Sequence, residues 1–302
     1  MHSNRQTPRA FTLIELLVVI AIIALLIGIL LPTLGSARAS AVELACRVRM
    51  RELSMANFYY ATDNRDRTMP TVPILIGRDQ YGFASITKNW AYTFERGDRI
   101  DEGYLIEYVD NAVEIVACPL NQRQDPGGIA EDPDNPDDID LYPGGEINFD
   151  FSFVDYTEGA ETFASFDVRM AVTNDGGGVP GNAAELQPFP GLPMIVEESS
   201  VWYNNNSPRG VSDGRWGNWD QWTTRHGGGN ADDRRGGGMT AYLDGRVERF
   251  DPPQAFDNEN PNHGSGAEGF NSHDIYIIDR AGEPNMLYNI NLPYGGINEF
   301  RR

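Results

Sequence analysis

Cysteine is scarce in this sequence: Cys46 and Cys118 are its only two in 302 residues. They form no C-x-x-C pair, so a zinc site built from cysteines alone is excluded. Outside the cytoplasm the two could join in one disulfide; otherwise they are two separate thiols. Basic residues are also few, with 24 Lys and Arg against 44 Asp and Glu, for a net charge of -20. The imbalance is uneven. Residues 1–51 carry six arginines (Arg5, Arg9, Arg38, Arg47, Arg49, Arg51) against Glu15 and Glu43, a local charge of +4, which leaves -24 on the remainder. An acidic domain of this kind repels nucleic acid, so no nucleic-acid partner is expected. No internal repeat is visible.

The most informative segment is residues 11–31, FTLIELLVVIAIIALLIGILL, with Glu15 as its only charge. An apolar helix of about 20 residues spans a bilayer core. Arg5 and Arg9 precede it, which keeps the N-terminus cytoplasmic by the positive-inside tendency. A cleaved secretory signal would have a shorter apolar run followed by small residues; here the run ends in Leu31-Pro32-Thr33 and the helical pattern continues. A plain anchor leaves Glu15 unexplained. A carboxylate in hydrocarbon costs about 2.5–3.5 kcal/mol on insertion scales and marks function by default.

The run RAFTLIELLVVIAIIALLIGILLPTL resembles the N-terminus of type IV prepilins and type II secretion pseudopilins. The resemblance implies that a prepilin peptidase cuts between Ala10 and Phe11 and methylates the new amine. Glu15 falls where the family keeps a glutamate, and its carboxylate can pair with the N-terminal amine of a neighbouring subunit. Pro32 falls where the family often keeps a kinking proline. Ala10 departs from the family's usual glycine before the cut. The implied partners are the peptidase, other pilin or pseudopilin subunits, an inner-membrane assembly platform and the lipid bilayer. The implied location is a single-pass inner-membrane protein with its C-terminal domain periplasmic or extracellular.

Past Pro32, which lacks a backbone donor and should bend or loosen the helix, apolar residues recur at Leu34, Ala37, Ala41, Leu44, Val48, Met55 and Tyr59. That spacing predicts an amphipathic helix over 32–62. A second, weaker stripe runs through Val42, Cys46, Met50 and Leu53. Two stripes fit two buried faces, one on the domain and one on neighbouring subunits, or else a single wide core-facing stripe.

The organisation expected is therefore a basic leader (1–10), a membrane helix (11–31), its amphipathic continuation (32–62) and a β-rich extracytoplasmic domain (63–302). The expected fold class is α+β and pilin-like, a long helix packed on an antiparallel sheet with loop-rich extensions. Strands are predicted at 72–76, 113–117, 147–154, 163–172 and 194–197, and a short helix or strand at 104–109. Residues 239–250, MTAYLDGRVERF, predict a hairpin turning on the two residues Asp244-Gly245.

Residues 225–229 (RHGGG) and the hairpin after them resemble the H-X9-DG segment of a large prepilin-like family, the DUF1559 or prepilin processing-associated group. Cys118-Pro119 and the PMIVEE stretch at 193–198 are similar to other parts of it. Seventeen residues separate His226 from Asp244 here, not nine, because of a Gly-, Asn-, Asp- and Arg-rich insertion at about 230–237.

Three candidate chemistries remain. His226 and Asp244 read as a metal or acid–base pair, or as a brace for the Asp244-Gly245 turn; the brace is favoured, since no nucleophile, orienting group or full ligand set accompanies them. No catalytic residue is assigned and no enzymatic activity is expected. Asp132, Asp134, Asp137, Asp138 and Asp140 are calcium candidates, but lack the Gly and Glu of an EF-hand loop, and a solvated acidic loop with no cofactor is favoured. Trp202, Tyr203, Trp216, Trp219 and Trp222 crowd a Gly- and Asn-rich stretch. They read either as sugar-stacking rings of a membrane-anchored carbohydrate-binding or adhesive module, or as buried rings pinning irregular loops, which is favoured.

Overall fold

The computed structural model describes residues 13–71, 74–78, 84–95, 98–109, 115–120, 150–172, 186–199, 215–217, 221–223, 226–227, 236–253, 270–287, 290 and 294–302. The fold is α+β and pilin-like, with one long N-terminal helix and three β-sheets among the described residues. The chain divides into two compact units, Met1–Glu43 and Leu44–Arg302, so the boundary falls inside the helix.

Helix α1 spans Leu13–Asp63 and is unbroken at Pro32. Leu and Ala are its commonest residues, both strong helix formers. Three hydroxyls fold back onto it: Thr33 Oγ1 donates to the Leu30 carbonyl at 2.9 Å, Ser40 Oγ to the Ser36 carbonyl at 3.1 Å and Thr62 Oγ1 to the Tyr59 carbonyl at 2.7 Å. It stops where Arg65 and Asp66 take left-handed backbone angles, both with φ 59°. The Asp66 N–H then donates to the Ala61 carbonyl at 2.8 Å, and Asn64 Nδ2 to the Tyr60 carbonyl at 2.9 Å. Those bonds satisfy carbonyls that a helix end leaves without intrahelical donors.

Within the Leu44–Arg302 unit the helix has two unlike faces. Cys46, Met50, Leu53, Asn57 and Tyr60 are buried at steps of four and three. Leu44, Val48, Met55 and Tyr59 lie on the other side and are 61%, 47%, 42% and 54% exposed. The core is therefore built on the stripe that reads as the weaker one in sequence. Asn57, a polar residue on that buried stripe, is satisfied twice: its Oδ1 accepts from the Met69 N–H at 2.8 Å, and its Nδ2 lies 2.8 Å from Met194 Sδ.

One sheet is an antiparallel meander of β1 (Ile74–Arg78), β2 (Ala84–Lys88), β3 (Tyr92–Glu95) and β4 (Asp98–Glu102). The central sheet contains β5 (Phe151–Val154), β8 (Pro193–Glu197), β9 (Arg215–Trp216), β10 (Gly238–Tyr242) and β11 (Val247–Phe250), in the order β11-β10-β8-β5-β9. Its pairings are antiparallel except β5 with β9. The third sheet orders β13 (Pro284–Met286), β12 (Ile275–Ile278), β6 (Asp167–Met170) and β7 (Gln187–Pro188). Every residue of β8 and of β10 is buried, so these strands are covered on both faces and read as continuous rather than alternating patterns.

Several local expectations shift. Residues 115–120, part of the expected strand at 113–117, form a turn instead. Its Val116 carbonyl accepts from the N–H groups of Asp150 and Phe151. The expected strand at 163–172 shortens to β6 at Asp167–Met170, and Phe163, with φ 60°, lies outside strand geometry. Residues 105–107 form a single 3-10 turn. The β10–β11 hairpin forms, but with a three-residue loop rather than two: the Tyr242 N–H donates to the Arg246 carbonyl at 2.9 Å and the Gly245 N–H to the Tyr242 carbonyl at 2.9 Å. Gly245 has φ 85° while Asp244 is not left-handed. A two-residue Asp-Gly turn of the primed type needs both residues there, whereas the three-residue loop needs only the glycine.

Candidate functional site

The side chains of α1 from Leu13 to Leu31 are exposed, and the segment is long and apolar enough to cross a membrane. Glu15 is the acidic residue of its first turn, where a carboxylate also suits the positive end of the helix dipole. Ala10 and Phe11 lie outside the described residues, as does the side chain of Pro32.

Beneath the helix lies a second cluster. Cys46 comes from the buried face of α1, Cys118 from the turn after Val116, Glu197 from the end of β8, and His226 from an isolated bridge to Gly237. All four are buried, with exposures of 0%, 3%, 0% and 1%. The two cysteines are thiols whose Sγ atoms lie 2.7 Å apart. Cys118 Sγ is 3.7 Å from His226 Nε2, and His226 Nε2 is 2.9 Å from Glu197 Oε2. One donor atom from each residue falls within 4.8 Å of every other.

The surroundings hold this arrangement in place. The Cys118 N–H donates to Asp150 Oδ2 at 2.7 Å, the Met239 N–H to Glu197 Oε2 at 3.0 Å, and Arg49 Nη1 to the Ala117 carbonyl at 2.9 Å. His226 Nδ1 is buried with no hydrogen-bond partner among the described residues. Burial alone would make the His226 ring harder to protonate. Hydrogen bonds to Cys118 and Glu197, together with the Glu197 charge, outweigh this and push its pKa up to about 10.

The structure thus pairs His226 with Glu197, Cys118 and Cys46 rather than with Asp244. Asp244 sits at the exposed hairpin turn, accepting from the Arg246 N–H at 3.1 Å and Arg246 Nε at 2.7 Å. Glu197 is the member that sequence reasoning missed; its one signal is a carboxylate closing the apolar strand PMIVE. Trp216 and Trp222 are fully buried, which removes two of the five rings from a sugar-binding face. Trp202, Tyr203 and Trp219, and the acids Asp132, Asp134, Asp137, Asp138 and Asp140, lie outside the described residues.

Residues 5–31 match the prokaryotic N-terminal methylation motif. The chain has a prepilin-type N-terminus. No curated protein and no solved structure matches the chain. The prepilin-type match covers the apolar half of α1 and ends before the buried cluster, so the cluster's chemistry rests on its own geometry.

Proposed function

We propose that this protein is a structural prepilin-like subunit. A prepilin peptidase cuts it between Ala10 and Phe11 and methylates Phe11. Residues 11–31 hold it in the inner membrane with the acidic domain on the far side, and an assembly platform stacks it through α1 into a type IV pilus or a type II secretion pseudopilus. Beyond the methylation motif, one observation carries the assembly step: the apolar stripe Leu44, Val48, Met55 and Tyr59 is exposed along one side of α1. A lone domain gains nothing from a row of exposed apolar residues on a helix, and such patches mark interaction surfaces. The occupant we assign is the α1 helix of a second prepilin-like subunit. Stacking of that kind also brings a neighbour's amine within reach of Glu15, which offsets the cost of a carboxylate in lipid.

Mass spectrometry of the mature N-terminus tests the reading. A chain beginning with methylated Phe11 supports it. An intact Met1, or a cut after Leu31, refutes it.

A further inference from the structure

The buried cluster serves neither processing nor helix stacking, and it places two thiols, an imidazole and a carboxylate together in the interior. We propose that Cys46, Cys118, Glu197 and His226 form a closed structural site for a thiophilic divalent cation, with zinc as the fitting ion.

Ligand chemistry decides the class of ion. Thiolate and imidazole donors select zinc over calcium or magnesium, which take oxygen ligands. Four protein donors fill a tetrahedral shell, which is the arrangement of structural rather than catalytic zinc. Zn–S bonds of about 2.3 Å and Zn–N or Zn–O bonds of about 2.0–2.2 Å place neighbouring ligand atoms roughly 3.3–3.8 Å apart. The Cys118–His226 distance of 3.7 Å already meets this. The two sulfurs, 2.7 Å apart, must open by about 1 Å, and the His226–Glu197 pair, 2.9 Å apart, by about half as much. Those movements are within the reach of side-chain torsions.

The four donors are far apart in sequence, and each reaches the centre from a different element. The hydrogen bonds of Asp150 to the Cys118 backbone and of the Met239 N–H to Glu197 supply the outer contacts that orient metal ligands. Binding releases the two thiol protons and the Nε2 proton of the His226 imidazolium to solvent, leaving a neutral imidazole with Nε2 on the ion; no electrons are transferred. A disulfide would use only the two cysteines and leave His226 and Glu197 buried as a separate ion pair. The metal uses all four groups. It also ties the buried face of α1 to β8 and to two loops, at the level where the exposed stripe of the same helix begins. The site stands independently of the prepilin reading, since nothing in it depends on residues 5–31.

The experiment is elemental analysis and intact mass measurement of the full chain, purified in detergent without chelators or metal-affinity steps. The expected result is about one zinc per chain, with two thiols that react with a thiol reagent only after chelator and denaturant are added. Zinc should fall at least tenfold in both Cys46→Ser and His226→Gln. Cobalt(II) exchanged into the wild-type chain should give a thiolate charge-transfer band, a readout that needs no variant to fold. His226→Gln separates the two chemistries, because a disulfide would not need the imidazole. Two results overturn the proposal: a chain lighter by two hydrogens with no thiol after denaturation and no zinc, or zinc retained undiminished in both variants.

Discussion

Removing the Trp222 side chain distinguishes a core ring from a ligand-binding ring. Trp222 is fully buried. It meets Trp216 at 4.9 Å, Phe250 at 5.1 Å and Phe270 at 5.7 Å between ring centroids, mostly edge to face, and its Nε1 donates to Thr240 Oγ1 at 3.0 Å. A buried aromatic of this size removes some 150–250 Å² from water. At about 25 cal/mol per Å² that is worth about 4–6 kcal/mol, in line with the about 3–5 kcal/mol measured for large aromatic truncations. Thr240 is itself fully buried, so losing its donor adds about 1 kcal/mol. Trp222→Ala is therefore expected to destabilise the Leu44–Arg302 unit by about 4–6 kcal/mol, a large share of the about 5–15 kcal/mol typical of a folded domain. Trp222→Phe keeps the ring contacts and should cost about 1–2 kcal/mol, mainly through the orphaned hydroxyl. Urea denaturation of a soluble fragment, monitored by far-ultraviolet circular dichroism, measures both. A Trp222→Ala variant within about 1 kcal/mol of wild type would refute the core assignment and return this ring to a candidate binding face.

The same fragment serves for three further tests. Val48→Lys changes an exposed position, so its stability should stay within about 0.5 kcal/mol of wild type, while filaments or pseudopili reconstituted from the full chain are lost; normal assembly would show that the stripe is not the stacking face. Asp274 is pushed up from 3.8 to about 7 by burial, against the opposing backbone bond from Asn271. Its folded pKa lies above its unfolded one, so this contribution to stability is full below about pH 4 and is lost as pH rises to about 7, by up to about 4 kcal/mol. Asp274→Asn should flatten that window, and an unchanged pH profile of unfolding would contradict the burial argument. Gly159 has φ +65°, and a Cβ there would lie 2.5 Å from the Gly295 backbone nitrogen. Gly159→Ala should cost at least about 1–2 kcal/mol from backbone conformation alone, and a thermal midpoint equal to wild type would show that the 295–302 tail is not seated on this loop.

Some features were legible from the residues because short-range chemistry decides them. The apolar run at 11–31 with Glu15 in its first turns specifies a helix and its environment without reference to anything distant, and its motif match agrees. The Asp244-Gly245 hairpin comes from alternation on both sides of a glycine free to take positive φ. Other features depend on neighbours that the sequence does not place. Both stripes of α1 are apolar enough to be core, and the one through Cys46, Met50 and Leu53 is buried because the sheet, through Met194, meets that side. The hairpin takes a three-residue loop, with the Leu243 N–H donating to the Leu192 carbonyl at 2.9 Å, outside the β10–β11 ladder. His226 and Asp244, a candidate pair in the sequence, part company in the fold, where Glu197 of β8 lies 2.9 Å from the imidazole. Four donors drawn from a helix, a turn, a strand end and a bridge become one site only when the chain closes on itself. The anchor, its processing signal and the acidic character of the domain behind it are properties of local residue order and total charge, and need no fold to be read. Which helix face stays exposed, and that two distant cysteines share a buried centre with His226 and Glu197, are settled by long-range packing alone.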